Sequence, residues 1–270
     1  MLQLETMTQA IAEAFVGARR AGKALVQYPG SPPTALAEAY AVQDAAIPLF
    51  EDKIAGWKVG RINSPWLEKL GASRLAGPIF KKSVHSLKAN GQNAEGMIFK
   101  EGFGAAEAEF VYRIGSAPAP GQQTFAVDEA SALIDAVFCG FEIASSPFPG
   151  INTLGPLVTI SDFGNNNGLL LGPEIPDWRS SQFDQWEVIT LVDGEQVGSG
   201  KAETFPGGTL ESVRFLIENL VRRGFPVTPG LLISSGAVTG VHEVEAGQSV
   251  EARFGDFSSL RCSIRHSESK

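Results

Sequence analysis

Residues 105–114 read AAEAEFVYRI. In a strand, side chains alternate between faces, and residues two apart share a face about 7 Å apart. Ala106, Ala108, Phe110 and Tyr112 would then form one apolar face, and Glu107 and Glu109 would stand together on the other. An unpaired carboxylate buried in an apolar stretch is costly, and two neighbouring carboxylates repel unless something positive lies between them. The stretch therefore predicts a strand of a β-rich fold whose two glutamates converge on a cation. The alternative is an amphipathic strand with both acids in water.

Working outward, short apolar runs broken by glycine, proline and asparagine continue from about residue 54, the pattern of a β-rich chain. Strands are expected in IAGWKVG (54–60), GMIFK (96–100), VFCGFEIAS (137–145), LVTISDFG (157–164), GLLLGPEI (168–175), WEVITLVDG (186–194) and GLLISSGAV (230–238). Two helices interrupt them. One is DEASALIDAV (128–137); the other is TLESVRFLIENLVRRG (209–224), with Thr209 as N-cap, Gly224 as stop and an apolar stripe of Leu210, Val213, Leu216, Ile217 and Leu220. Upstream, Ile11, Phe15 and Ala18, then Leu36, Tyr40 and Ile47, recur at helical spacing on either side of Ser31-Pro32-Pro33. The expected organisation is an N-terminal helical region over 1–50 followed by a β-rich unit over 51–270, packed as one body. RHSESK (265–270) reads as a frayed tail.

Three further features stand out. Glu142 is a single acid between Phe141 and Ile143. Together with Glu107 and Glu109 it would make a hard, oxygen-rich set suited to Mg²⁺ or Mn²⁺; otherwise it pairs with a core arginine. Lys58 sits in GWKVG, where desolvation would lower its pKa and let it exchange protons near neutrality, unless it snorkels to the surface. ISDFGNNNG groups Ser161, Asp162, Asn165, Asn166 and Asn167, either a plain turn or a loop of polar groups for a carboxylate or ketone.

Acidic residues number 30 against 22 basic ones, a net charge of −8. This disfavours non-specific nucleic-acid binding, and an anionic substrate would need local attraction. There is no apolar run of membrane-spanning length and no basic leader before an apolar block, so the expected location is the cytoplasm, away from membranes. Cys139 and Cys262 make no disulfide framework, and Cys139, in AVFCGF, reads as a small core residue. The three histidines are scattered, which argues against a Ser-His-Asp site or a histidine-ligated zinc. No phosphate loop and no dinucleotide glycine triad is present.

Taken in order, GWKVG, LAGPIF, EAEFVYRI, FEIASSPFP, VTISDFGNNNGLLLG and SSGAVTGVHEVEAGQSVEARFG resemble the fumarylacetoacetate hydrolase superfamily, and within it the 2-keto-4-pentenoate hydratase and 4-oxalocrotonate decarboxylase branch. The resemblance runs from about residue 35 to 260. It implies an α+β, β-rich mixed β-roll with peripheral helices, assembled as dimers or larger. It assigns Glu107, Glu109 and Glu142 as ligands of Mg²⁺ or Mn²⁺ and Lys58 as the active-site lysine; in the mechanism this suggests, one ligand glutamate, with Glu107 the choice, or a metal-bound water would orient the nucleophile. Gly60, Arg61, Ser161, Asn165 and Asn166 fall in segments that border the substrate pocket.

The implied activity is metal-dependent hydration of a small 2-keto or 2-hydroxy-dienoic acid in aromatic catabolism. Decarboxylation of a 2-oxo-3-enedioate is the nearest alternative. C–C bond hydrolysis and a non-catalytic partner subunit stand further off; hydrolysis usually needs a histidine, and none lies in 60–80. The chain also departs from the family where relatives read the substrate's far end. Ala144-Ser145-Ser146-Pro147 follows the third glutamate, Lys81-Lys82 follows GPIF, and Arg61-Ile62-Asn63 follows the lysine motif.

Overall fold

A computed structural model describes residues 2–87 and 93–267. The first part of the chain runs α1 (Leu2–Ala21), α2 (Leu36–Leu49), β1 (Ile54–Arg61), α3 (Trp66–Leu70), β2 (Arg74–Phe80), β3 (Val84–Ser86), β4 (Asn93–Ile98) and β5 (Phe103–Ile114). The middle adds α4 (Val127–Ala132), β6 (Ile134–Ser146), α5 (Pro156–Ser161), β7 (Asn166–Glu174), β8 (Val188–Val192) and β9 (Glu195–Gly200). Then come α6 (Gly208–Arg223), β10 (Leu232–Ser234), β11 (His242–Glu243), β12 (Ser249–Phe254) and β13 (Ser258–His266).

Two mixed sheets result. The larger has the order β2-β1-β10-β5-β6-β7-β3, with β11 also on β5, and the smaller has the order β4-β13-β12-β8-β9. Strand β10 lies parallel to β1 and antiparallel to β5, which places a segment from the last third of the chain between two early strands.

The alternation expected of 105–114 is present. Ala106, Ala108, Phe110 and Tyr112 are fully buried in the main core, where Phe110 meets Phe254 of the small sheet edge to face with ring centroids 5.5 Å apart. On β6, Val137, Cys139, Phe141 and Ile143 enter the same core. Glu107, Glu109 and Glu142 therefore share the opposite face of the sheet. The stripe of α6 packs as expected, with Val213, Leu216, Ile217 and Leu220 fully buried, and the helix stops at Gly224 with φ 78°. Both cysteines are free and buried, and burial pushes the Cys262 thiol up to about 12.

Four expectations fail locally. LVTISDFG is not a strand: 156–161 is a helical turn of α5, opened by Pro156 at its first position, and 163–165 is a 3-10 turn. Of DEASALIDAV only the first half is helical; from Ile134 it joins β6, because Val137 is needed in the core beneath β5. Thr209 is not the N-cap of α6; Gly207, with φ 75°, is, and the Thr209 hydroxyl is hydrogen-bonded to Tyr112 Oη at 2.5 Å. Arg265 and His266 are not tail but the end of β13, paired with Met97 and Ile98 of β4, while residues 268–270 lie outside the described residues. Among the described residues, no helix is long and apolar enough to cross a membrane.

Candidate metal centre and its cavity

The register of β5 against β6 pairs Glu107 directly with Glu142, and Glu109 follows two residues on. One carboxylate oxygen from each of the three lies within 4.8 Å of the others, and all three side chains are buried. Glu109 is fixed by two donors from the β10 segment: Ser234 Oγ donates to its Oε2 at 2.5 Å and the Gly236 amide donates to the same atom at 2.9 Å. Its other oxygen, Oε1, is buried with no hydrogen-bond partner. Glu142 accepts a hydrogen bond at Oε1 from Asn166 Nδ2 at 2.9 Å, and its Oε2 lies 3.4 Å from Lys58 Nζ without an aligned hydrogen bond.

Lys58 approaches from β1, 4% exposed, and also donates to Asn165 Oδ1 at 3.3 Å. Burial works against its charge, but Glu142, Glu107 and Glu109 outweigh it and hold the ammonium above its usual pKa. This reverses the direction expected from GWKVG alone, because local sequence shows the desolvation and hides the acids on neighbouring strands. Burial likewise pushes Glu107 up to about 7 against the pull of Lys58, and lifts Glu109 well above the carboxylate range.

With all three carboxylates ionised, one ammonium would leave the cluster two positive charges short, the charge of a divalent cation; without an ion, Glu107 and Glu109 hold their protons more tightly instead. The donors are all hard oxygens, and two of them, Glu109 Oε1 and Glu142 Oε2, are buried without a hydrogen-bond partner. A hard divalent cation fits that set.

Beside the cluster lies a cavity of about 580 Å³. Of the three clustered carboxylates only Glu107 lines it, and Lys58, Gly60, Arg61 and Asn165 line it too. Gly60 brings the backbone close, since a Cβ there would sit 3.1 Å from Leu75 Cδ1 and 3.6 Å from Lys58 Nζ. Arg61 stacks 4.8 Å over the Phe205 ring at the wall, and Arg74 adds a second guanidinium. No histidine lines the cavity among the described residues.

Two residues of the asparagine-rich segment fall elsewhere. Asn166 stands behind Glu142 and orients it, away from the cavity. Ser161 is fully buried, its hydroxyl donating to Leu157 O at 2.9 Å and lying 3.2 Å from Tyr28 Oη, and it does not line the cavity. The sequence reading also missed Ser234, Gly236 and Arg74. The glycine-flanked SSG was the available signal for the first two, and nothing local marks Arg74.

No family model and no curated protein matches this sequence. Solved structures do. The magnesium and adipate complex of 4-oxalocrotonate decarboxylase from Pseudomonas putida G7 superposes with a TM-score of 0.79 at 20% identity, over 96% of this chain and 97% of that one. Its calcium and acetate complex gives 0.77 at 20% identity over the same shares. The chain has the fumarylacetoacetate hydrolase fold. Within that fold, fumarylpyruvate hydrolase from Pseudomonas aeruginosa, in complex with Mn²⁺ and pyruvate, has a TM-score of 0.57 at 17% identity, over 78% of this chain and 89% of that one. At such identities the likeness carries the fold, and the chemistry rests on the three glutamates, the lysine and the cavity.

Proposed function

We propose that this protein is an Mg²⁺- or Mn²⁺-dependent enzyme acting on a small 2-keto acid, and that it hydrates a 2-hydroxy-2,4-dienoate of the 2-keto-4-pentenoate type. The observation that carries the reading is the buried cluster of Glu107, Glu109 and Glu142, with an oxygen of each within 4.8 Å of the others and Glu107 lining a cavity of about 580 Å³. Three solved neighbours in complex with magnesium, calcium or manganese support it.

Glu107, Glu109 and Glu142 would hold the ion, which when bound supplies Lewis-acid polarisation of the substrate's 2-keto oxygen and a counter-charge for its carboxylate. The chain's own groups do the rest. Lys58 Nζ, pinned between Glu142 and Asn165, holds a proton at the cavity floor and can deliver it or take it back as the dienol ketonises. Water then adds its oxygen at C4 and its proton at C3 of the resulting 2-oxo-3-enoate. Glu107 is the ligand carboxylate facing the cavity and so the one placed to orient that water. Ser234 and Gly236 lock Glu109, and Asn166 locks Glu142, so that little reorganisation remains when charge develops.

A specific observation favours a second reading. Arg61 and Arg74 put two guanidiniums in the cavity, a match for a second carboxylate on the substrate. With a 2-oxo-3-enedioate, the same centre would drive loss of CO₂ from the far end, followed by protonation of the carbon chain.

Absorbance kinetics with Mg²⁺ or Mn²⁺ separate the two. Bleaching of 2-hydroxypenta-2,4-dienoate without CO₂ supports the hydratase. Turnover confined to 2-oxohex-3-enedioate, with CO₂ evolved, supports the decarboxylase and calls for loss of rate in Arg61→Ala. Inertness toward both compounds sinks both readings. The same proposal includes a cytoplasmic protein that assembles as a dimer or larger, which sedimentation of the purified protein tests.

A further inference from the structure

Arg19, near the end of α1, is 7% exposed and far in sequence from every residue of the metal cluster. Its guanidinium nevertheless reaches behind that cluster. Nε and Nη2 donate to Asp162 Oδ1 and Oδ2 at 2.5 and 2.9 Å, in a forked pair. Nη1 donates to Asn166 O at 3.0 Å and Asn167 Oδ1 at 3.2 Å, and Nη2 also donates to Ser145 O at 3.1 Å and Asp162 O at 3.3 Å. The cation lies 5.5 Å from the Phe99 ring and 5.2 Å from the Phe163 ring.

Its acceptors belong almost entirely to 162–167, the segment whose other side faces the metal cluster. There Asn165 Oδ1 accepts from Lys58 Nζ, and Asn166 Nδ2 donates to Glu142 Oε1. The backbone between Asp162 and Asn166 is strained: Phe163, Gly164 and Asn165 have φ of 54°, 62° and 57° in succession. Non-glycine residues in that region persist only where the surroundings over-determine them. Arg19 does so here, gripping the segment at Asp162 before the strained turn and at Asn166 after it.

We infer that Arg19 is a positioning residue for the metal centre: from the N-terminal helix it sets Asn165 against Lys58 and Asn166 against Glu142. The inference rests on the metal reading proposed above. A lysine would keep the charge facing Asp162 but has no planar fork to span Asp162, Asn166 and Ser145 together.

The test reads Mn²⁺ binding directly, by calorimetry on the full chain. Arg19→Lys is expected to keep its circular dichroism spectrum and lose about 10- to 100-fold in Mn²⁺ affinity, the usual effect of removing a group that orients a ligand. A second cavity, of about 500 Å³, is lined by Arg19, Asn166 and Asn167, so in Arg19→Ala millimolar guanidinium has a route to the vacated site and is expected to restore part of the affinity. If Arg19→Ala does not fold, Asn166→Ala tests the same link from its other end. It is expected to lower Mn²⁺ affinity and to be non-additive with Arg19→Lys. A folded Arg19→Lys with unchanged Mn²⁺ affinity, or strict additivity with Asn166→Ala, overturns the positioning role. Absence of Mn²⁺ binding in the unsubstituted protein overturns the metal reading and this inference with it.

Discussion

Glu107 and Glu142 stand directly opposite each other in the antiparallel ladder between β5 and β6, both buried and both on the face turned away from the main core. Like charges so placed destabilise a sheet. Glu107→Gln with Glu109→Gln is therefore expected to act in opposite directions on two measurements. Calorimetric affinity for Mg²⁺ or Mn²⁺ should fall by more than the roughly 10- to 100-fold of a lost supporting residue. The melting temperature of the chelator-treated protein should hold or rise, because glutamine removes the cost of ionising two buried carboxylates beside Glu142. Unchanged metal affinity would show that the ligands are wrongly assigned.

Stability should depend on pH in opposite senses with and without the ion. Glu107 titrates at about 7 in the fold against 4.5 for an ordinary glutamate, so between those values the folded protein binds more protons than the unfolded chain. Its contribution is present in full below about 4.5 and is lost as pH rises through 7. Chelator-treated protein should accordingly resist urea better at pH 5 than at pH 7.5, as far as this cluster governs the difference. A divalent ion needs the deprotonated carboxylates, so saturating Mg²⁺ should reverse the slope. The same slope in both samples would separate the cluster from metal binding.

Lys58 touches the cluster without being one of its three acids, and its removal should split binding from turnover. Lys58→Ala is expected to retain Mg²⁺ affinity within about tenfold while losing turnover by roughly 10²-fold or more, the scale of a lost proton-transfer group. Near-normal turnover with a saturating ion would take the lysine out of the chemistry.

Gly77 of β2 lies against the turn that carries Asn165. A Cβ there would fall 2.0 Å from Phe163 O and 2.8 Å from Gly164 Cα, contacts with backbone that no rotamer change relieves. Gly77→Ala should cost about 1–3 kcal/mol or more in denaturant unfolding. Its turnover should fall further than the stability loss explains, because the shifted turn moves Asn165 away from Lys58. A fully active, equally stable variant would show that the turn has room to move.

How legible the site was depended on how local each signal is. Glu107 and Glu109 declare themselves because period-two alternation sets charge inside an apolar strand, and Glu142 because Phe141 and Ile143 flank it. LVTISDFG misled because its β-branched content matches a strand, whereas Pro156 and the core space beneath α5 favour a turn of helix. Ile134–Val137 misled in the other direction, since continuing β6 under β5 outweighs the helical run that precedes it. The pKa direction of Lys58 and the grip of Arg19 were unreadable for one reason. Both are set by partners far off in sequence, and Arg19 meets its acceptors across separations of 126 to 148 residues. Ser161 and Asn166 looked alike in ISDFGNNNG, and only the path of the chain decides that one supports a helix turn while the other holds a glutamate.

Strand β10 has a consequence for the order in which the protein matures. It fills the slot between β1, which carries Lys58, and β5, which carries Glu107 and Glu109. Until residues 232–234 are inserted, the lysine strand has no neighbour tying it to the glutamate strand, and Glu109 lacks the Ser234 and Gly236 donors. A nascent chain emerging from the ribosome therefore carries the acids long before it can assemble them, and joins the lysine strand to the glutamate strand only once residues 232–236 have been made.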